Sequence, residues 1–301
     1  MTLDQIRIFL TVAELGHVTR AALRLNLTQS AVSAAIAALE RQHDVQLFDR
    51  VGRGIRLTEA GEALVVAGQR VQREAEDARA LLADFSREPR GRLRIWASQT
   101  IASYWLTPRL IEMHRIWPKV ELSLHDANTA DVARAVTEGA ADLGLVEGEA
   151  ATGALRTREV GYDELLLVLP RAHPLARQPR LAAQDYRAMQ WLVREPGSGT
   201  RAAMESHLAT MGLTMSDLAV VLQLPTNEAI LGGIRGGRPV SMLSWRSMQM
   251  TQRRHFALRR VTWAEKPRRK FLALTDPRRA ETRAVQGFLD LIAAGSPPRR
   301  A

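Results

Sequence analysis

The chain has no cysteine among its 301 residues. That excludes disulfide staples, a cysteine nucleophile and any thiolate metal site, and it matches a reducing cytoplasm. Histidine is sparse, at positions 17, 43, 114, 125, 173, 207 and 255, and no two stand at helical spacing, so no metal site is expected. A run of about 18 apolar residues is also missing, so no membrane span is expected and no membrane is named as a partner. The start, MTLDQIRIFL, carries an acid early and has no cleavable apolar core, so it does not read as a signal peptide. There is no Gly-x-Ser-x-Gly elbow, no His-Glu-x-x-His helix and no carboxylate pair in a suitable loop. Neither an enzyme nor a cofactor is expected.

The composition, 46% hydrophobic and 25% charged, is that of a soluble globular chain, and its length suits two or three modules. The most informative stretch is 18–61. Leu23, Leu25, Leu27, Val32, Ile36 and Leu39 have the spacing of two short helices crossing at the turn Asn26-Leu27-Thr28, with Thr28 or Gln29 opening the second. That second helix is rich in Ser and Ala from Ser30 to Ala38, a rod thin enough for a DNA major groove. DVQLFDRVGRGIRLTEAG then reads as a strand, a tip rich in Gly and Arg (Arg50, Gly52, Arg53, Gly54, Arg56) and a second strand, which is a wing. Thr58 and Glu59 cap the next helix. Ahead of this unit, Leu3–Leu15 is amphipathic, with Leu3, Ile6, Phe9, Leu10 and Ala13 on its stripe and Gly16 ending it.

From Thr58 to about Ser86 the pattern is one long helix. Ala60, Leu64, Ala67, Val71, Ala75, Ala78, Leu82 and Phe85 form a near-heptad seam. A helix of this length between two modules is expected to dimerise; the alternative is packing on its own domain. After the hinge Pro89-Arg90-Gly91, strands (LRIWAS, VELSLHD, ADLGLVEG, ELLLVLP, QWLVRE, AVVLQL, VSMLSW, KFLALTD) alternate with helices near 101–116, 129–138, 199–211 and 227–234. This argues an α/β sheet with ligands at strand C-terminal ends.

The motifs LDQIRIFLTVAELGHVTRAALRLNLTQSAVSAAIAALE and VQLFDRVGRGIRLTEAG resemble the N-terminal domain of LysR-type transcriptional regulators. The likeness continues through LRIWASQTIASYWLTPRLIEMHRIWPKVELSLHDANTADVARAVTEGAADLGLVEG, EPGSGTR and NEAILGGIRGG, and so covers nearly the whole chain. The effector half is most similar to the subgroup of sulfur- and carbon-assimilation regulators. The resemblance implies an α/β protein with an N-terminal winged helix-turn-helix (1–58), a dimerising linker helix (59–87) and a two-lobed effector domain of the type 2 periplasmic-binding-protein kind (88–301). It places lobe I at about 92–161 and 270–295 and lobe II at about 162–269, with small inducers bound between them. It also implies a cytoplasmic homodimer or homotetramer on double-stranded DNA.

Within that frame the DNA-binding candidates are Gln29, Ser30, Ser33, Arg50, Arg53 and Arg56. Gln reads adenine and Ser reaches base or phosphate; the alternative is that Ser30 merely caps the helix. Members often carry a long polar residue where this chain has Ala34, which shifts specificity toward the wing arginines and DNA shape. The effector-binding candidates are Ser98, Gln99, Thr100, Asn128, Thr129, Glu147, Ser198, Gly199, Thr200 and Arg201. All but Glu147 stand where helices open, and free N–H groups there suit a small anion: an oxyanion, or a carboxylate or phosphate metabolite. Simple capping is the alternative. Glu147 does not match an anion pocket by charge, and three readings stay open: a protonated donor, a partner for a cationic group, or a gate. GGIRGG at 232–237 lacks nucleotide-binding spacing and follows a helix, so it ends that helix instead.

The net charge of +10 points to a polyanionic partner. It does not locate the DNA-binding face, because residues 1–57 hold seven Arg against five acids whereas 252–270 hold eight Lys/Arg against Glu265 alone. The basic tract reads first as a solvated surface and second as a phosphate-tracking patch. A small-anion receptor or enzyme without a DNA role is the alternative function.

Overall fold

The computed structural model describes residues 1–51, 54–84, 89–148, 153–251 and 253–294. The chain divides into two compact units, Met1–Leu82 and Ala83–Ala301.

In the first unit, local capping sets each helix. α1 (Leu3–Leu15) starts at a capping box between Thr2 and Gln5 and ends at Gly16, whose φ of 60° is the left-handed region. α2 (Val18–Leu25) ends at Asn26, also left-handed. α3 (Gln29–His43) is capped by Thr28, whose hydroxyl accepts the Ala31 N–H at 3.2 Å. β1 (Phe48–Val51) and β2 (Gly54–Leu57) pair antiparallel, and α4 (Glu59–Asp84) follows. Ile8, Phe9, Val12, Ala21, Ala22, Val32, Ile36 and Leu39 make the core, with Phe9 and Phe48 rings 5.4 Å apart.

This departs from the expected stripes. Leu23 and Leu3 are exposed and Leu27 lies at the exposed edge, whereas Ile8, Val12, Ala21 and Ala22 turn inward. In an eight-residue helix, burying consecutive alanines lets α2 approach its neighbours closely, and this rotates Leu23 outward. Arg50, Gly54 and Arg56 belong to the wing strands, not the tip, and Arg53 lies outside the described residues.

In the second unit, β3 (Gly91–Ser98), α5 (Gln99–Ile101), a π-helical turn (Ala102–Leu106), α6 (Thr107–Ile116), β4 (Val120–Ala127), α7 (Thr129–Thr137) and β5 (Leu143–Glu147) build one lobe. β6 (Arg156–Pro170) leads into the other: α8 (Ala183–Ala188), β7 (Gln190–Arg194), α9 (Gly199–Thr210), β8 (Ala219–Leu224), α10 (Asn227–Arg235), β9 (Ser241–Ser244), α11 (Trp245–Gln249) and β10 (Phe256–Arg260). β11 (Arg268–Thr275) returns to the first lobe, and α12 (Arg283–Ala294) covers it.

β6 is the spine. Its first half, Arg156–Glu164, pairs β11; its second half pairs β9 and β10. The main sheet runs β10-β6-β11-β5-β3-β4, with β9 also on β6, while β7-β8 form a separate pair. The chain crosses between the lobes at β6 and again at β11. Among the strands, two features escaped the sequence patterns. RTREVGYD is too charged to read as a strand, yet it is held by β11; and β10 lies in the basic tract.

Separate apolar clusters fill the lobes, one around Trp105 and Phe271 and another around Tyr186 and Trp191. No helix among the described residues is long and apolar enough to cross a membrane.

Gly61, which propensity alone marks as a weakness in α4, is required by a close approach: a Cβ there would lie 2.3 Å from the Leu47 carbonyl oxygen. Gly61→Ala should therefore cost about 1–3 kcal/mol. Gly232→Ala, in open space on α10, should be neutral or stabilising by roughly 0.5–1 kcal/mol. Denaturant unfolding midpoints of the two variants measure the contrast.

Candidate DNA-reading helix and effector cleft

On α3, Gln29 and Ser30 are exposed and Ser33 is half-buried. The Gln29 Nε2 lies 3.4 Å from Ser33 Oγ, so the two form one polar edge along the first turn. The cap is Thr28, not Ser30; the Ser30 hydroxyl lies 3.0 Å from Thr28 Oγ1 at the open end of the helix. Glu40 accepts the Leu47 N–H at 2.8 Å and so fastens the wing root to α3. Arg56 is exposed and stands opposite Asp49 across the wing.

Leu64 and Val65 pack on the domain core, but Val71 and Leu82 are 41% and 71% exposed. Among the described residues, the α4 side chains packed on the domain core, Leu64 and Val65, lie in its first turns. Phe85, the last position of the expected seam, lies outside the described residues.

The cleft is built at strand ends. β3, β4, β7 and β8 each run into a helix start, and β5 ends at Glu147. They enclose a cavity of about 190 Å³ lined by Ser98, Gln99, Thr100, Asn128, Thr129, Glu147, Ser198 and Gly199, together with Asp126, Arg194, Glu195 and Thr226. Asn128 and Thr226 cap α7 and α10, but Ser198 makes no side-chain cap on α9, which leaves first-turn N–H groups of α9 without that partner. Ser98 Oγ, Thr129 Oγ1 and Glu147 Oε1 are buried side-chain oxygens with no hydrogen-bond partner. Buried polar atoms are usually paired, and these three line one cavity, where they are free to bond a molecule that enters it.

Thr200 and Arg201 are placed differently. Arg201 turns away, bonded to Glu205 at 2.8 Å and to the Arg194 carbonyl oxygen. The Thr200 hydroxyl accepts from Arg269 at 3.0 Å, and Thr100 accepts from both Arg269 (3.3 Å) and Asn227 (3.2 Å). These threonines hold the wall in place before any ligand arrives.

Arg269 is the residue that sequence reasoning missed. It lies in the basic tract, yet its side chain is only 2% exposed. Sheet register puts it there: Arg269 stands directly opposite Asp163 on β6, and Glu147 on β5 lies diagonally two positions along. Its guanidinium donates to Asp163 Oδ2 at 2.7 and 3.0 Å and to Glu147 Oε2. Ser244 donates to the other Asp163 oxygen at 2.8 Å, and Arg246 lies 3.9 Å from it. The rest of the tract is largely engaged: Arg259 bonds the Leu175 and Ala176 carbonyls, Arg268 and Arg260 flank Glu164, and Lys270 faces Glu159.

A second network closes the rim. Arg194 donates to Gln99 (3.0 Å) and Asn227 (3.1 Å), Gln99 donates to Glu228, and Tyr104 on the π-helical turn also donates to Glu228. Burial, then the Glu228 carboxylate, pushes the Tyr104 phenol above its ordinary range, so it stays a donor. Asn227 is fully buried at the start of α10; an Asn ahead of an apolar helical run was the available signal for it. Among the described residues no group of three or more His, Asp or Glu is placed to hold a metal ion.

Residues 3–62 match the bacterial regulatory helix-turn-helix proteins of the lysR family, and residues 86–296 match the LysR substrate binding domain. The chain belongs to the LysR family. It is a DNA-binding transcriptional regulator with an effector-binding domain, not an enzyme. Among its relatives is the uncharacterised HTH-type transcriptional regulator YeiE of Escherichia coli, 34% identical over 83% of this chain and 82% of that one. Another, from Trichormus variabilis and named a probable RuBisCO transcriptional regulator, is 33% identical over 81% and 73%. In fold the LysR chain is similar to CbnR solved with its target DNA, with a TM-score of 0.72 at 18% identity, covering 98% of this chain and 99% of that one.

Removing the Arg269 charge strands Asp163 and Glu147 in the interior. Arg269→Met should cost about 3–5 kcal/mol, read as a lowered denaturant midpoint, while Arg201→Met, at a partly exposed pair, should change it little.

Proposed function

We propose that this regulator reads DNA with α3 in the major groove, using Gln29, Ser30 and Ser33, while wing residues Arg50, Arg53 and Arg56 hold the flanking backbone. Two chains pair through the α4 seam that includes Val71, Ala75, Ala78 and Leu82, and effector domains associate further into a homotetramer that acts in the cytoplasm. The effector is a small anion, an inorganic oxyanion or a compact carboxylate or phosphate metabolite, seated in the inter-lobe cavity. Compounds of carbon fixation are among the first to try, since a relative is named for RuBisCO regulation; sulfur oxyanions are the other group. The observation that carries this reading is the pair of unpartnered hydroxyls, Ser98 and Thr129, in a cavity that the α7, α9 and α10 starts also line. Helix N-termini carry partial positive charge and suit an anion. The ligand acts by favouring one degree of lobe closure, and it must bind the two states unequally to do so.

Three measurements check these assignments. Gln29→Ala should change operator preference in gel-shift competition, whereas Arg56→Ala should weaken all sequences alike; affinity should fall with salt at a slope of about −0.9 per neutralised phosphate. A salt-independent affinity would contradict DNA binding of this kind. On a sizing column, Val71→Asp and Leu82→Asp should shift the protein toward monomer and Gln72→Asp should not. In a thermal-shift screen of oxyanions and carboxylates on the full-length protein, a ligand at 100 times its Kd adds about 2.7 kcal/mol. Against the best hit, Ser98→Ala should cost about 0.5–1.5 kcal/mol of binding without lowering the stability of the unliganded protein.

A further inference from the structure

Glu147 is the lining residue that an anion site does not explain. Its side chain is buried at the end of β5; Oε2 is taken by Arg269, and Oε1 has no donor. Gly199 lets this carboxylate stand against the first turn of α9, since a Cβ there would lie 2.7 Å from both Glu147 Cβ and Oε2. Asp126 and Glu195 line the same cavity, and the single lining arginine, Arg194, is already held by Glu195 through two contacts of 2.8 Å. The cavity thus offers hydrogen-bond donors from helix starts and hydroxyls, and beside them an acceptor that no protein group fills. Among the described lining residues it has no spare cation. A fully ionised oxyanion would bring lone pairs and negative charge against Glu147 in a poorly solvated space, where repulsion is strong.

We infer that the effector is an anion that still carries an O–H, either a hydrogen-oxyanion or a small hydroxycarboxylate, and that Glu147 is the specificity-determining residue that accepts this hydrogen. The inference rests on the inter-lobe cavity being the effector site. The anionic oxygens face the α9 start and the Ser98 and Thr129 hydroxyls, and the O–H donates to Glu147 Oε1. An ion of the same shape without the hydrogen meets carboxylate against oxyanion and is rejected. The expected discrimination is large because the mismatched ligand leaves two acceptors facing each other without solvent.

Two matched pairs of probes separate the sources of that O–H. Phosphate keeps a proton at neutral pH and sulfate does not; glycolate has a hydroxyl and acetate does not. Calorimetry on the full-length protein at pH 7 should show phosphate at least tenfold tighter than sulfate if the natural ligand is a hydrogen-oxyanion, or glycolate at least tenfold tighter than acetate if it is a hydroxycarboxylate. Glu147→Gln leaves an amide oxygen to accept from Arg269 and presents an NH2 where the orphan acceptor stood. It should erase or reverse a phosphate preference, with sulfate gaining at least tenfold, and it should narrow a glycolate preference by weakening glycolate while acetate stays unchanged. Equal affinities within both pairs in the wild type, or an unchanged preference in a folded Glu147→Gln variant, overturn the role of Glu147 and leave the anion cleft standing. No binding of any of the four by the wild type overturns this inference and the small-anion reading together. The wild-type comparison decides the point even where the variant does not fold.

Discussion

The second unit depends on a guanidinium buried where the two lobes meet. Arg269 sits on β11 between β5 and β6 and draws Glu147 from one and Asp163 from the other. With Arg246 near Asp163 the cluster holds two cations and two carboxylates, so its charge balances. Desolvating four ionised groups is expensive, and their mutual attraction offsets that cost only when geometry and further hydrogen bonds are good. Here Ser244, Thr100 and Thr200 supply those bonds. Such a cluster contributes less to net stability than to placing its members. It sets β5, β6 and β11 in one register and aims two threonines and a glutamate at one spot.

The cavity follows from that placement together with ordinary α/β geometry. Strands that end together bring helix starts together, and helix starts present N–H groups. A sensor must also be able to change. The Arg194–Gln99–Asn227–Glu228–Tyr104 network joins groups from both lobes at the rim, and Tyr104 lies on a π-helical turn, a form of helix found mostly at functional sites. Thr100, which accepts from both Asn227 and Arg269, ties this rim to the buried cluster. In the DNA-binding unit the corresponding constraint is steric. Gly61 lets α4 approach the wing root, and Thr58 and Glu40 fasten the strands that carry Arg50 and Arg56.

Much of this was legible in the chain. The boundaries of α1, the turn at Asn26, the Thr28 start of α3, the wing and the Thr58 start of α4 follow from capping residues and apolar spacing. These signals act within a few residues, so they survive without tertiary information. The strand–helix alternation of the second unit and the cleft-lining loops at Ser98, Asn128 and Ser198 were visible for the same reason. Where local signals were weak, the reading slipped: Leu23 turned outward because α2 buries alanines, and RTREVGYD became a strand only because β11 pairs with it.

The sequence by itself determined which segments fold as helices, which as strands, and that a DNA-reading unit precedes an α/β sensor. Only the tertiary structure decided that Arg269 leaves the basic tract for the interior, that the Thr100 and Thr200 hydroxyls are held by it, and that Glu147 keeps one oxygen unpaired. Those outcomes depend on register between strands separated by 106 and 122 residues. No local pattern encodes such a register; it is chosen when the strands meet, by which pairing buries the apolar faces and leaves the fewest charges without partners.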